Sequence, residues 1–329
     1  MGLRLMKLAF LHPSSHPNIQ SPIFNTMNES ESKATQITPL FSNKVLGRVE
    51  RMRINPICRN TSRHRGEQLA GRGGSNTEFS DYRDYAPGDD TRFIDWNIFS
   101  RLRRPYLKIF RLEEEMNIVV IIDGSSSMMF DGKLELAKSL AAAFGVMALF
   151  AGQKLSAYLV REGAKGPAER MPPCHGRAHM KNFLRFVEST EGGGNLPLEK
   201  GVDQVLKYHK GKGVVILLSD FLTFGNIKRA FNSLFSMGLE IYSLQILSQA
   251  EMNPELTGDL RLVDSETDVT LDITAAGDIL SIYHEHKDRH MEELLKLSQQ
   301  RSGRFMTLSS DLSVETVLFD ILLKRGWIK

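Results

Sequence analysis

The sequence is short of the features that mark several protein classes. Only Cys58 and Cys174 occur in 329 residues, so no disulfide framework staples the chain and no cysteine spacing builds a zinc site. That scarcity fits a reducing compartment, and a cytoplasmic location is the expectation. The longest apolar run, Leu140 to Ala151, falls short of the roughly 20 residues that a membrane-spanning helix needs. It reads as a buried helix, and no membrane is expected among the partners. The opening MGLRLMKLAFLHP is broken by Arg4 and Lys7 and has no small-residue cleavage site, so it does not read as a secretory leader. Nucleophile elbow, phosphate loop and dinucleotide fingerprint are all missing, which removes the commonest hydrolase and nucleotide-binding signatures.

What remains is an ordinary soluble composition, 41% hydrophobic and 25% charged, in a chain long enough for one large core and a smaller appended unit. The net charge of +3 is unevenly spread: residues 43–111 hold 15 Lys and Arg against 8 Asp and Glu, and residues 112–329 hold 24 against 29. A basic segment ahead of an acidic body suits nucleic acid or an acidic surface, the chain's own body included. No aromatic-interleaved or finger-like pattern accompanies the charge, so self-docking is preferred and nucleic acid is not expected.

Three stretches follow from the patterning. Residues 1–42, rich in Ser, Asn, Pro and Thr, read as a loosely ordered leader. Residues 43–115 read as a basic extension containing FSDYRDYAPGDDTRFIDWNIFSR, where Pro87-Gly88-Asp89-Asp90 marks a turn and YLKIFRLE alternates like a half-buried strand. In that element Trp96 is expected to be buried and Arg92 paired with a carboxylate, while Arg101, Arg103 and Arg104 flank an edge strand. From residue 116 to 329 the pattern is that of alternating strands and helices. IVVII and GVVILLS are continuous apolar runs typical of strands covered on both faces, LSAYLVR, LEIYSLQIL and RFMTLS are further strands, and residues 258–274 form a hairpin. The expected fold is α/β, a doubly wound, mostly parallel sheet with a small N-terminal β-rich extension.

In such sheets ligands sit at the carboxyl ends of strands, near the point where strand order reverses. One apolar strand ends in Asp123-Gly124-Ser125-Ser126-Ser127 and another in Ser219-Asp220. A carboxylate from each, with two hydroxyls at i, i+2, forms an all-oxygen cage with few ligands, suited to Mg²⁺ or Mn²⁺. Helix capping would require one such residue rather than four in five positions. His284, His286 and His290 lie among charged residues on a solvated face, and Cys174, His175 and His179 lie in a Pro-Gly setting that reads as loop; neither group is expected to hold a metal.

VVIIDGSSSM and VVILLSDF resemble the metal-ion-dependent adhesion site of von Willebrand factor A-like domains, which implies Asp123, Ser125, Ser127 and Asp220 as metal ligands. The element Tyr85-x-Pro87-Gly88-Asp89-Asp90-x-Arg92-x-Ile94-Asp95-Trp96, with the LRLVDSETD hairpin, resembles more narrowly the bacterial domain of unknown function 58 family. The resemblance spans residues 45–325. It implies a non-catalytic, metal-dependent binding module, an adaptor or assembly factor working with a MoxR-type AAA+ ATPase, with the ion accepting a partner's carboxylate and Gly124, Ser126, Phe221, Gly193 and Gly194 facing that partner. The family's Gly-Gly-Thr loop reads Gly192-Gly193-Gly194-Asn195 here, so Asn195 or Thr190 is the expected substitute ligand, and a threonine at Gly194 restores the hydroxyl if φ there is negative. The alternatives are a Mg²⁺-dependent phosphoesterase, which lacks an evident general base, and nucleic-acid binding through residues 43–111.

Overall fold

A computed structural model describes residues 8–10, 36–57, 77–112, 116–162, 168–223, 225–254, 260–264, 270–273 and 276–329. The chain divides into two units, one made of residues 1–57 with 117–329 and the other of residues 58–116.

The larger unit is built on a six-stranded sheet. Its strands are β4 (Asn117–Asp123), β5 (Lys154–Val160), β6 (Ala168–Cys174), β7 (Gly213–Ser219), β8 (Leu239–Leu247) and β11 (Arg304–Ser309), in the order β11-β8-β7-β4-β5-β6. All pairings are parallel except that of β6 with β5. The expected doubly wound, mostly parallel sheet is therefore present. The sequence reading missed β6, because Pro172-Pro173 looks like loop. Proline is tolerated there because β6 is an edge strand, where a missing N–H breaks no ladder on the open side.

Apolar side chains cover both faces. Val119, Ile121, Val215, Leu217 and Ile241 pack against helices α5 (Leu198–Tyr208), α6 (Ile227–Ser236) and α8 (Ala276–Gln299) through Val202, Phe231 and Leu294. The other face receives α3 (Lys133–Phe150), against which α4 (Met180–Glu188) packs. The apolar run Leu140–Ala151 forms most of α3, which is buried nearly all round, as expected of a central helix covered by neighbours on every side. Among the described residues no helix is long and apolar enough to cross a membrane.

Two parts of the expected leader and extension belong to this larger unit. Helix α1 (Asn43–Val49) buries Val45, Leu46 and Val49, and Ile54 bridges Ile328 while Arg53 N–H donates to the Lys329 carbonyl at 2.7 Å. The boundary thus falls after Ile57, not before residue 43, because segment 43–57 is stitched to the C-terminal residues. Leu8–Phe10 (β1), placed in the leader, pairs antiparallel with β9 (Leu260–Asp264), which also pairs with β10 (Thr270–Ile273). The remainder of residues 1–35 and the hairpin tip at 265–269 lie outside the described residues. Near the C-terminal end Thr316–Leu322 forms a π-helical segment.

The smaller unit holds an antiparallel pair, β2 (Thr77–Asp84) with β3 (Tyr106–Leu112), and helix α2 (Trp96–Leu102). The acidic residues of its turn element are used locally. Asp89 accepts from Ala86 N–H and binds Arg83 at 2.7 Å. Asp90 caps the turn at Thr91–Phe93 and is paired with Arg92, as expected of Arg92. Asp95 caps α2 through Asn97 and Ile98 N–H and also binds Tyr82 and Lys108. Trp96 corrects the sequence reading, since it is 61% exposed rather than buried. It stands at the first position of a short helix and meets Phe99 edge-on. Trp96→Ala is accordingly expected to lower stability by only about 0.5–1.5 kcal/mol, the worth of one aromatic pair. A thermal melt showing the roughly 3–5 kcal/mol loss of a buried aromatic would contradict that placement.

Candidate functional site

The chain runs from β4 to β5 on one side and later returns to β7 on the other, so the switch in strand order lies between β4 and β7. Ile122 is in register with Leu218, which brings Asp123 level with Ser219 at the carboxyl ends of adjacent strands, the place where such sheets gather ligands. Ser219 Oγ donates to Asp123 Oδ2 at 2.5 Å and Ser125 N–H donates to Asp123 Oδ1 at 2.9 Å. The hydroxyls of Ser125 and Ser127 stand 3.1 Å apart, and the Ser127 hydroxyl is near enough to Asp220 to favour its ionised form. All five residues are buried.

The electrostatics are those of two carboxylates facing each other out of water. Burial, and next the nearby Asp220 charge, push the Asp123 carboxyl up to about 6, against the hydrogen bonds from Ser219 and Ser125 that favour its ionised form. Burial also raises Asp220, but Lys133 and the Leu222 N–H outweigh it, and the group is held below the usual carboxylate range. One carboxylate stays ionised while its neighbour is reluctant to, the expected split for like charges sharing a dry site.

The donor set fits a hard divalent cation, being all oxygen and bearing two potential negative charges. Hydroxyls 3.1 Å apart match the edge of an octahedron, about 2.9 Å for bonds of about 2.0–2.1 Å.

The family model for a protein of unknown function, DUF58, matches residues 81–293, a span that takes in both aspartates. The chain belongs to the DUF58 family. It is 27% identical over 211 residues to uncharacterized proteins of Mycobacterium tuberculosis and Mycobacterium bovis, a match covering 62% of this chain and 65% of theirs. Among solved structures it is similar to a von Willebrand factor type A protein from Catenulispora acidiphila, with a TM-score of 0.40 and 14% identity over 66% of this chain and 43% of that one. It is also similar to the conserved hypothetical protein BatB from Bacteroides thetaiotaomicron, with a TM-score of 0.36 and 13% identity over 64% of this chain and 98% of that one.

Other residues singled out in this DUF58 protein fall in different places. Thr190 is buried, but its hydroxyl is turned back onto the Val187 carbonyl at 2.6 Å. Asn195 is exposed, and its N–H donates to Glu162 Oε2 at 3.3 Å. Gly194 has φ +83, and a Cβ there would lie 2.6 Å from Glu162 Cβ. The negative φ needed for a threonine is therefore not met. Its carbonyl accepts from both Ser126 N–H and Ser126 Oγ, and Gly193 N–H donates to the Gly124 carbonyl at 2.7 Å, so the glycine loop is tied to the serine loop by backbone. Phe221, expected at the partner face, is a core residue packed against Phe231 and Phe305. Gly124 is also buried, beneath Leu159. Among the described residues, Met129 and Phe130 are exposed apolar residues of this face.

Two residues at the centre had no signal in the sequence. Lys133, fully buried, donates to Asp220 Oδ2 at 2.9 Å and to Glu251 Oε1 at 2.7 Å. His290, read as solvent-facing, is buried with Nε2 3.1 Å from the Phe221 carbonyl. A lysine and a glutamate 118 positions apart carry no mutual pattern that a linear reading detects.

Proposed function

We propose that this DUF58 protein is a protein-interaction module in which Asp123, Ser125, Ser127 and Asp220 hold Mg²⁺ or Mn²⁺, and that the loops around them take up a partner through one of its carboxylates. The observation that carries the reading is the convergence of two carboxylates and two hydroxyls from separate strand ends, with hydroxyl spacing suited to adjacent ligands of one ion. Bound there, the ion supplies a Lewis-acidic position for an anionic oxygen. Both oxygens of Asp123 and both of Asp220 already accept hydrogen bonds, so these groups are held in position. The exposed pair Met129 and Phe130, just beyond Ser127, offers apolar area for a docked protein surface. The partner we place first is a MoxR-type AAA+ ATPase, by analogy with similar proteins.

Calorimetric titration of Mg²⁺ and Mn²⁺ tests the centre. Wild type is expected to bind and both Asp123→Ala and Asp220→Ala to lose binding while remaining folded. Equal binding by all three would remove the site. Capture of a purified MoxR-type ATPase by the immobilised protein in Mg²⁺, reversed by chelator, tests the partner, and capture indifferent to chelator or to Asp123→Ala would reject a metal-mediated contact.

A further inference from the structure

Lys133 opens helix α3, where the positive end of the helix dipole disfavours a cation, and its side chain has no solvent exposure. A buried ammonium is tolerated only when it is well paired, and Lys133 is held by Asp220 on one side and Glu251 on the other. Glu251 lies on α7 (Gln249–Met252), where it forms a capping box with Ser248. That short helix is moored to α8, since Tyr283 OH donates to the Glu251 carbonyl and Lys287 Nζ to the Met252 carbonyl. The ammonium is thus fixed against the same Asp220 carboxylate that Ser127 approaches.

We propose that Lys133 is the resident cation of this centre, a positioning residue that holds Asp220 in place in the metal-free protein and limits by its charge how tightly a divalent ion binds. The inference rests on reading the Asp123–Asp220 centre as a divalent-cation site. Two cations that share one carboxylate repel each other, and burial leaves that repulsion poorly screened. Glu251 offsets part of it from one ion pair further out. The sign of the effect separates this role from a merely structural one: damage to the site loosens metal binding, whereas removal of a competing cation tightens it.

The test is calorimetric titration of Mn²⁺ into the full chain and its variants, with thermal melts in chelator and in saturating Mn²⁺. Lys133→Met is expected to bind Mn²⁺ at least tenfold more tightly than wild type and to melt lower in chelator. Glu251→Gln, which leaves the Lys133 charge unshared, is expected to bind severalfold more weakly. The double variant Lys133→Met/Glu251→Gln removes both charges and guards against misfolding of Lys133→Met. It is expected to bind severalfold more tightly than wild type, because Nζ contacts Asp220 and Glu251 stands behind it. Folded Lys133 variants with wild-type or weaker affinity would overturn the proposal. Binding that survives Asp123→Ala overturns the centre itself, whereas loss in Asp123→Ala with unchanged affinity in the Lys133 variants overturns only the role of Lys133. If wild type binds no Mn²⁺, binding gained by a Lys133 variant supports the inference, and binding by none rejects both.

Discussion

Gly194→Thr is expected to destabilise the protein by about 2–4 kcal/mol and to loosen, not tighten, the metal centre. A left-handed backbone costs an L-residue roughly 1–2 kcal/mol, and more when the residue is β-branched. At φ +83 the new Cβ would also lie 2.6 Å from Glu162 Cβ and 2.9 Å from the Glu162 carbonyl. Overpacking of that kind adds about 1–3 kcal/mol unless the backbone shifts. A shift would not be confined to residue 194, because its carbonyl is the acceptor for Ser126 and the neighbouring Gly193 N–H holds Gly124. Movement there would disturb the loop that carries Ser125 and Ser127. Thermal melts and Mn²⁺ titrations of wild type, Gly194→Ala and Gly194→Thr measure this. The expected order of stability is wild type, then alanine, then threonine. A threonine variant with unchanged melting and tighter Mn²⁺ binding would show that the loop adopts a different conformation in solution.

Gly194 also marks where a linear reading stops. The aspartates could be placed because strand ends are visible as apolar runs that terminate in polar residues, and parallel sheets present those ends on one edge. Asp123 and Asp220 follow from that rule, and the serines follow from their spacing. Neither the sign of φ at Gly194 nor its closeness to Glu162, a residue 32 positions earlier on a different loop, is recorded in a local pattern. Phe221 shows the same limit. It follows a site aspartate, yet its side chain turns inward, with φ 56 and a carbonyl held by His290. In the smaller unit the opposite error occurs with Trp96, because hydrophobicity alone does not say which face of a seven-residue helix is covered. Lys133 is the most consequential omission, since a lysine at a helix start reads as a solvated charge until Asp220 and Glu251 are brought to it by the fold.

In metal-free buffer, Asp123→Asn is expected to be more stable than wild type at neutral pH, by on the order of 2–3 kcal/mol, and equal to it near pH 4. Asp123 has a folded-state value of about 6 against an ordinary 3.8, so the folded form holds a proton that the unfolded chain has released. A group raised in this way favours folding below the unfolded value, and that contribution disappears as pH rises through the folded one. Its window is therefore pH 4 to 6. Asp220 is shifted the other way and loses its contribution only as pH falls below about 4. Burial lowers His290 and His209, so these groups oppose folding as pH drops below about 6.5. Whole-protein melting curves mix these effects, and the difference between wild type and Asp123→Asn isolates the first. An amide at position 123 keeps an acceptor for Ser125 N–H and offers a donor to Ser219, whose hydroxyl already accepts from Phe221 N–H and has a second lone pair. The Ser125 bond survives, the Ser219 bond reverses direction, and the charge is lost. Saturating Mn²⁺ is expected to reverse the order, because an ion bound only by the folded wild type adds about 4.1 kcal/mol at a thousandfold excess over its Kd. A stability difference that stays flat between pH 4 and 7 would show that Asp123 is not strained by burial and by Asp220.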